Sequence, residues 1–213
     1  MGLIARQTFK AASVTYIGVV LGIVNQIFLY PLFLSIEQFR AIQFVILSAG
    51  LFTPISLLGV PSALIKYYPN YSVAKGGARD LYGLVFLVVS INTFLFLGVY
   101  LLFETEIASY YCDNSGVSRL SISILFLIAA TLPAQAILRT IASLHGRISI
   151  PSVFQQLFKV VLPLVCLFYY LEYLTFNAVL YYTLAFYIVL LILYVVYVRS
   201  LDGLHFTKSP RRI

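Results

Sequence analysis

Cationic and amide side chains occur at seven positions within or beside the apolar stretches of this chain, and they are the first candidates for chemistry. They are Asn25, Gln26, Gln135, Arg139, Gln155, Gln156 and Lys159. Arginine and lysine attract phosphate and other anions, and amides exchange hydrogen bonds with hydroxyl groups. All of these groups are costly in hydrocarbon, so we expect them to face a wet interior or the membrane boundary.

Two of the helices predicted around these residues each carry a polar face. Thr131, Gln135 and Arg139 are four residues apart and share one face of a helix. After a turn, the next helix carries a polar face at spacings of three and four, formed by Ser152, Gln155, Gln156 and Lys159. The segment 131–159 therefore predicts a polar pair of helices, with the rest of the chain as a wall around it.

Each polar group also has a purely structural interpretation, and both remain open at this point. Asn25 and Gln26 can form an interhelical hydrogen bond or can line a substrate path. Arg139 and Lys159 can bind an anionic substrate or can extend to lipid headgroups at the cytoplasmic end of the membrane. Of the two cations, Arg139 is the preferred candidate for a substrate contact.

The composition is that of an integral membrane protein. Hydrophobic residues make up 62% of the 213 residues, the mean hydropathy is +0.98, and only 10% are charged, whereas soluble domains carry about 25% charged residues. The net charge of +7 comes from basic residues in short loops, so we expect no nucleic acid partner. Cys112 and Cys166 fall in a loop and in a membrane segment, which predicts no disulfide.

The apolar runs predict an all-α polytopic membrane protein with six transmembrane helices in one bundle. Each run has about 20 to 25 residues, enough to cross a hydrocarbon core of about 30 Å. The expected spans lie at about 11–34, 41–65, 81–103, 120–144, 151–170 and 176–198, followed by a basic cytoplasmic tail at 201–213. Three prolines within these spans predict helix kinks, namely Pro54, Pro133 and Pro163.

The distribution of basic residues predicts that both termini are cytoplasmic. With six spans, 12 of the 14 lysines and arginines fall on the N-terminal side, and only Arg40 and Arg119 fall on the other. Five of the seven acidic residues lie on that other side. The positive-inside rule then predicts an N-in/C-in orientation.

The chain lacks the residues that proton relays, cation sites and metal sites require. No aspartate or glutamate lies within an expected span, which argues against a carboxylate proton relay or a cation site of carboxylates. The two histidines, His145 and His205, lie in a loop and in the tail without metal-ligand spacing. We therefore expect no enzyme activity, no metal and no cofactor, and we expect a protein that moves or holds an amphipathic molecule.

Three stretches of the chain resemble the oligosaccharide flippases, or polysaccharide biosynthesis proteins, of the multidrug/oligosaccharidyl-lipid/polysaccharide exporter superfamily. The resemblance lies in the opening GLIARQTFKAASVTYIGVVLGIVNQIFLYPLFLS with the following EQF, in LLGVPSALIKYYPNY, and in LHGRISIPSVFQQLFK. It extends over nearly the whole chain in helix order, although its motifs are diffuse. Arg40 stands where the family usually has glycine, which puts the packing at that end in doubt.

The resemblance implies a function and a set of partners. Family members have twelve to fourteen helices in two lobes, so this chain is expected to be an N-terminal six-helix lobe that pairs with a second lobe or a second copy of itself. The implied activity is flipping or export of lipid-linked oligosaccharide across a bacterial cytoplasmic membrane by alternating access. Alternatives are a small-molecule or drug exporter of the same superfamily and a non-transporting membrane scaffold or inactive half-protein.

Overall fold

Helices account for nearly all of the chain that the structure describes. The structure is a computed structural model that describes residues 3–73, 77–103, 105–106, 109 and 118–202. Its α-helices are α1 Leu3–Val24, α2 Tyr30–Phe33, α3 Ile36–Leu57, α4 Val60–Val73, α5 Gly77–Leu102, α6 Arg119–Leu144, α7 Ser149–Tyr170 and α8 Phe176–Asp202. A π-helical turn, Asn25–Leu29, joins α1 to α2.

Six helical segments are long and apolar enough to cross a membrane. They are Gln7–Phe33, Ile36–Leu57, Leu81–Leu102, Arg119–Leu144, Ser149–Tyr170 and Phe176–Leu201. This confirms the prediction of an all-helical multi-pass membrane protein. The N-in/C-in orientation stays a prediction, and Cys112 and the tail from residue 203 lie outside the described residues.

Helix α6 lies at the centre of the bundle. It packs against α3, α4, α5 and α8, and 61% of its most apolar window is buried by protein, whereas no other spanning segment exceeds 28%. Apolar and small side chains occupy most of the circumference of α6, so several of its faces can pack against neighbours. Ile128 and Ile137, both fully buried, belong to two successive core clusters along this helix.

The second membrane segment differs in its bounds from the expected 41–65. Helix α3 begins earlier because Ser35 and Gln38 form a capping box, in which each side chain bonds the other's backbone N–H. It ends at Leu57, because Leu58 and Gly59 take the left-handed conformation, with φ of 45° and 75°. The chain then restarts as α4, so an apolar run that appears continuous in the sequence contains two helices.

The break between α3 and α4 leaves backbone carbonyls without helical donors at membrane depth. Asn92 of α5 donates its side-chain amide to one of them, the carbonyl of Ser56, at 3.3 Å. Ser56 is itself buried, so water cannot reach it easily. The bond therefore satisfies the end of one spanning helix from the side of another.

Helix α1 lies at the edge of the bundle and packs chiefly against α7. Many of its side chains are exposed, and only 11% of the most apolar window of this first spanning segment is buried. The π-helical turn at its end precedes Pro31, which has no N–H to donate. A proline at this place makes a local change of helical winding favourable, because the regular bond to Ile27 cannot form.

Candidate functional site

Lys159 of α7 forms polar contacts with both α1 and the turn that follows it. In a regular helix the carbonyl of Lys159 would accept a bond from the N–H of residue 163, but that residue is proline. The side-chain amide of Asn25 takes the place of the missing donor and bonds the Lys159 carbonyl at 2.6 Å. Asn25 is only 3% exposed, so its amide is used for helix packing.

The ammonium group of Lys159 lies at half the length of its helix. Lys159 is 10 residues from Ser149 and 11 from Tyr170, which places its backbone about 15 Å from either end of the helix. Its Nζ donates to the carbonyl of Gly18 at 2.8 Å. Neither α1 nor α7 contains an aspartate or glutamate, so both helices lack a counter-charge for this cation.

Gly18 and Gly22 form the surface of α1 on which the polar side chains of α7 lie. A Cβ atom at position 18 would overlap the side-chain amide of Gln156, and a Cβ atom at position 22 would lie 3.5 Å from the Lys159 Cε and Nζ. The pair permits close helix approach, and here it makes room for polar side chains. The Gln156 Oε1 is buried with no hydrogen-bond partner among the described residues.

An apolar groove of about 270 Å³ runs beside the ammonium group, between α1, the π-helical turn and α7. Its walls are formed by Leu21, Asn25, Leu29, Phe33, Lys159, Val160, Pro163, Leu164 and Leu167. Val160 and Leu164 are about half exposed, at 46% and 50%, so the groove opens on the outside of the bundle. A hydrocarbon chain that enters from the membrane would lie against these walls with Lys159 beside it.

The second polar face, on α6, has a different neighbour. Gln135 donates to the carbonyl of Tyr187 on α8 at 3.0 Å, and to the hydroxyl of Thr131 at 3.4 Å. Gln135 is buried. The polar faces of α6 and α7 are therefore not brought together around one space as the sequence suggested, because Gln135 bonds to α8 and Lys159 bonds to α1.

The remaining predicted site residues are exposed. Gln26, Arg139 and Gln155 all lie at the surface, and no hydrogen bond or ion pair of theirs exists among the described residues. Arg139 is five residues from Leu144, the end of α6, or about 7.5 Å along the axis. From the sequence, Arg139 is preferred over Lys159 as a substrate contact, but Lys159 lies farther from the ends of its helix than Arg139 does.

The three prolines predicted as kinks lie inside helices, with Pro54 in α3, Pro133 in α6 and Pro163 in α7. Pro54 is followed closely by the end of α3, where the Leu58 N–H bonds its carbonyl at 3.1 Å. Sequence reasoning missed that Pro163 stands four residues after Lys159, the spacing at which a proline frees a carbonyl. That spacing was the available signal for a partner such as Asn25.

Comparison with known proteins gives no information on the function of these residues. No protein family model, no curated protein and no solved structure matches the chain. Among the described residues, no group of histidine, cysteine, aspartate or glutamate is arranged to hold a metal ion.

Proposed function

We propose that this chain is one lobe of a membrane transporter that flips or exports lipid-linked oligosaccharide across the cytoplasmic membrane by alternating access. The observation that carries the proposal is the ammonium group of Lys159 at half depth of the bundle, beside a groove with apolar walls. A lipid-linked sugar combines an anionic diphosphate with a long hydrocarbon chain, and the two parts match the cation and the groove.

The free-energy cost of placing the Lys159 ammonium group at mid-membrane supports a functional role for this residue. A lysine at mid-membrane is unfavourable unless it serves an ion or substrate path. One backbone carbonyl satisfies one of its three N–H donors, which leaves two donors for an anion. A drug exporter that carries cations would be repelled by the same charge, so the geometry favours an anionic substrate.

The test is transport by the protein isolated from its own membrane and placed in vesicles with a fluorescent lipid diphosphate sugar. Accessibility of the label to an external quencher measures its movement between leaflets. We expect movement with the original protein and a strong reduction with Lys159→Gln, which removes the charge and leaves a polar hydrogen-bond donor on the side chain. Leu95→Ala, a change at an exposed side chain of α5, is the matched control and should transport normally.

Two results would contradict the proposal. Equal transport by the original protein and by Lys159→Gln would remove the lysine from the path. Absence of transport together with a stable complex with another membrane protein would favour the scaffold interpretation instead.

A further inference from the structure

The side chain of Gln26 is an uncompensated amide on the outside of the bundle. It is exposed, and no group among the described residues bonds it. Its neighbour Asn25 bonds the carbonyl of Lys159, which lies at half length of α7, so Gln26 is at a similar depth. An amide in contact with hydrocarbon at that depth is costly without a partner.

The backbone carbonyl of Gln26 is also without its usual donors. The N–H of Tyr30, four residues on, bonds the carbonyl of Asn25 in the π-helical turn. The next residue is Pro31, which has no N–H. Gln26 therefore offers a side-chain donor and a backbone acceptor on the same residue.

The surface around Gln26 is suited to contact with another helix. Val19 and Ile23 lie seven and three residues before it, on the same side of α1, and are 47% and 52% exposed. Ile27, the next residue, is 60% exposed. This face, formed by Val19, Ile23, Gln26 and Ile27, is apolar except at Gln26, and α1 packs chiefly against α7 through its Gly18 and Gly22 side.

We propose that this face of α1 binds the same face of α1 in a second copy of the chain, across a two-fold axis at Gln26. Each Gln26 Nε2 donates to the Gln26 backbone carbonyl of the other copy. A two-fold axis pairs both donors with both acceptors at once, and amides of this kind hold helices together in membranes. A different partner helix would have to carry a matching donor and acceptor at one depth, which a second copy supplies by symmetry.

The first test is disulfide trapping in native membranes. Ile23→Cys is introduced into a Cys112→Ser background, in which the remaining Cys166 is fully buried. Oxidation should give a covalent dimer. Leu95→Cys, on α5 and at least as exposed as Ile23, should stay monomeric, and dimers at both positions or at neither would overturn the proposal.

The second test measures the affinity of the pair by counting subunits per vesicle as the protein is diluted in lipid. Loss of two interhelical hydrogen bonds in Gln26→Leu should weaken the dimer by about tenfold or more. Gln155→Leu, the same change at an exposed amide of α7, should leave the dimer unchanged. An unchanged dimer in Gln26→Leu, with loss of transport instead, would assign Gln26 to the substrate path and overturn the proposal.

Discussion

Asn25 donates its side-chain amide to the backbone carbonyl of Lys159, which Pro163 leaves without a helical donor. This relationship joins the edge helix α1 to the bundle and fixes the backbone at the residue that carries the mid-membrane charge. Lys159 thus takes part in helix packing through its backbone and is also the candidate for substrate contact through its side chain. The two roles can be separated by mutation, because the bond uses the backbone of Lys159 and the charge lies on its side chain.

The bond between Asn25 and Lys159 predicts a coupling between Asn25 and Pro163. Asn25→Leu should destabilise the protein by about 1 kcal/mol, since interhelical hydrogen bonds in membranes contribute about 0.6 to 1.7 kcal/mol. In a Pro163→Ala background the helix supplies its own donor to the Lys159 carbonyl, so the same change should cost clearly less. Unfolding of the four proteins in mixed micelles gives the coupling free energy, and strict additivity would contradict the explanation.

The glycines of α1 predict different responses to the same substitution. Gly18→Ala should be destabilising because its Cβ overlaps the Gln156 amide, whereas Gly22→Ala should be tolerated because its Cβ lies 3.5 Å from Lys159. The expected difference is about 1 kcal/mol, the low end of the usual cost of overpacking, because the atoms that must move belong to the flexible side chain of Gln156. Adding Gln156→Ala should rescue Gly18→Ala, and thermal unfolding of the purified proteins measures both effects. Equal losses at the two glycines would show that close helix approach alone matters.

The charge of Lys159 predicts a change in transport without loss of folding. Lys159→Met removes a cation from mid-membrane and keeps the volume of the side chain, so the folded yield should stay the same or rise. Transport should fall by about tenfold or more, which corresponds to about 1.4 kcal/mol of lost substrate attraction. Size-exclusion profiles and vesicle flux are measured on the same preparations. A variant that transports normally would make the lysine a packing residue.

The end of α3 predicts a structural role for Asn92. Asn92→Leu leaves the buried carbonyl of Ser56 without its side-chain donor, so the break between α3 and α4 should open more readily. We expect a loss of about 1 to 3 kcal/mol, the cost of an unsatisfied buried acceptor. Faster hydrogen exchange around residues 56–60 is the specific readout. Thr93→Val, at the next position of α5, is the matched control and should leave exchange there unchanged.

The membrane class and the number of membrane-spanning segments could be predicted from the sequence because hydrocarbon tolerates few alternatives to a helix. The boundaries were harder where local chemistry decides them. Ser35 and Gln38 start α3 before the apolar run begins, through a capping box that the predicted span did not include. Leu58 and Gly59 end the helix inside an apolar run, where the sequence shows no polar interruption.

The candidate site could be predicted as a set of residues but not as an arrangement. Periodicity shows correctly that Thr131 and Gln135 share a face, and they bond each other. It does not show which helix that face meets, because the pairing of helices depends on the fit of whole apolar surfaces. Gln135 therefore bonds to Tyr187 on α8, and Lys159 bonds to Gly18 on α1, although the two polar faces are adjacent in the sequence.

The position of α1 at the edge of the bundle also has a consequence for biogenesis. The polar bonds that α1 and the turn after it form with α7 join residues 134 to 142 positions apart, and translation of about 5 to 20 residues per second needs roughly 7 to 28 s to cover that distance. During this interval the first helix has been made while its partner has not. The nascent chain must therefore hold an unpaired asparagine in the insertion machinery or the lipid, and α1 joins the bundle only after Lys159 has been synthesised.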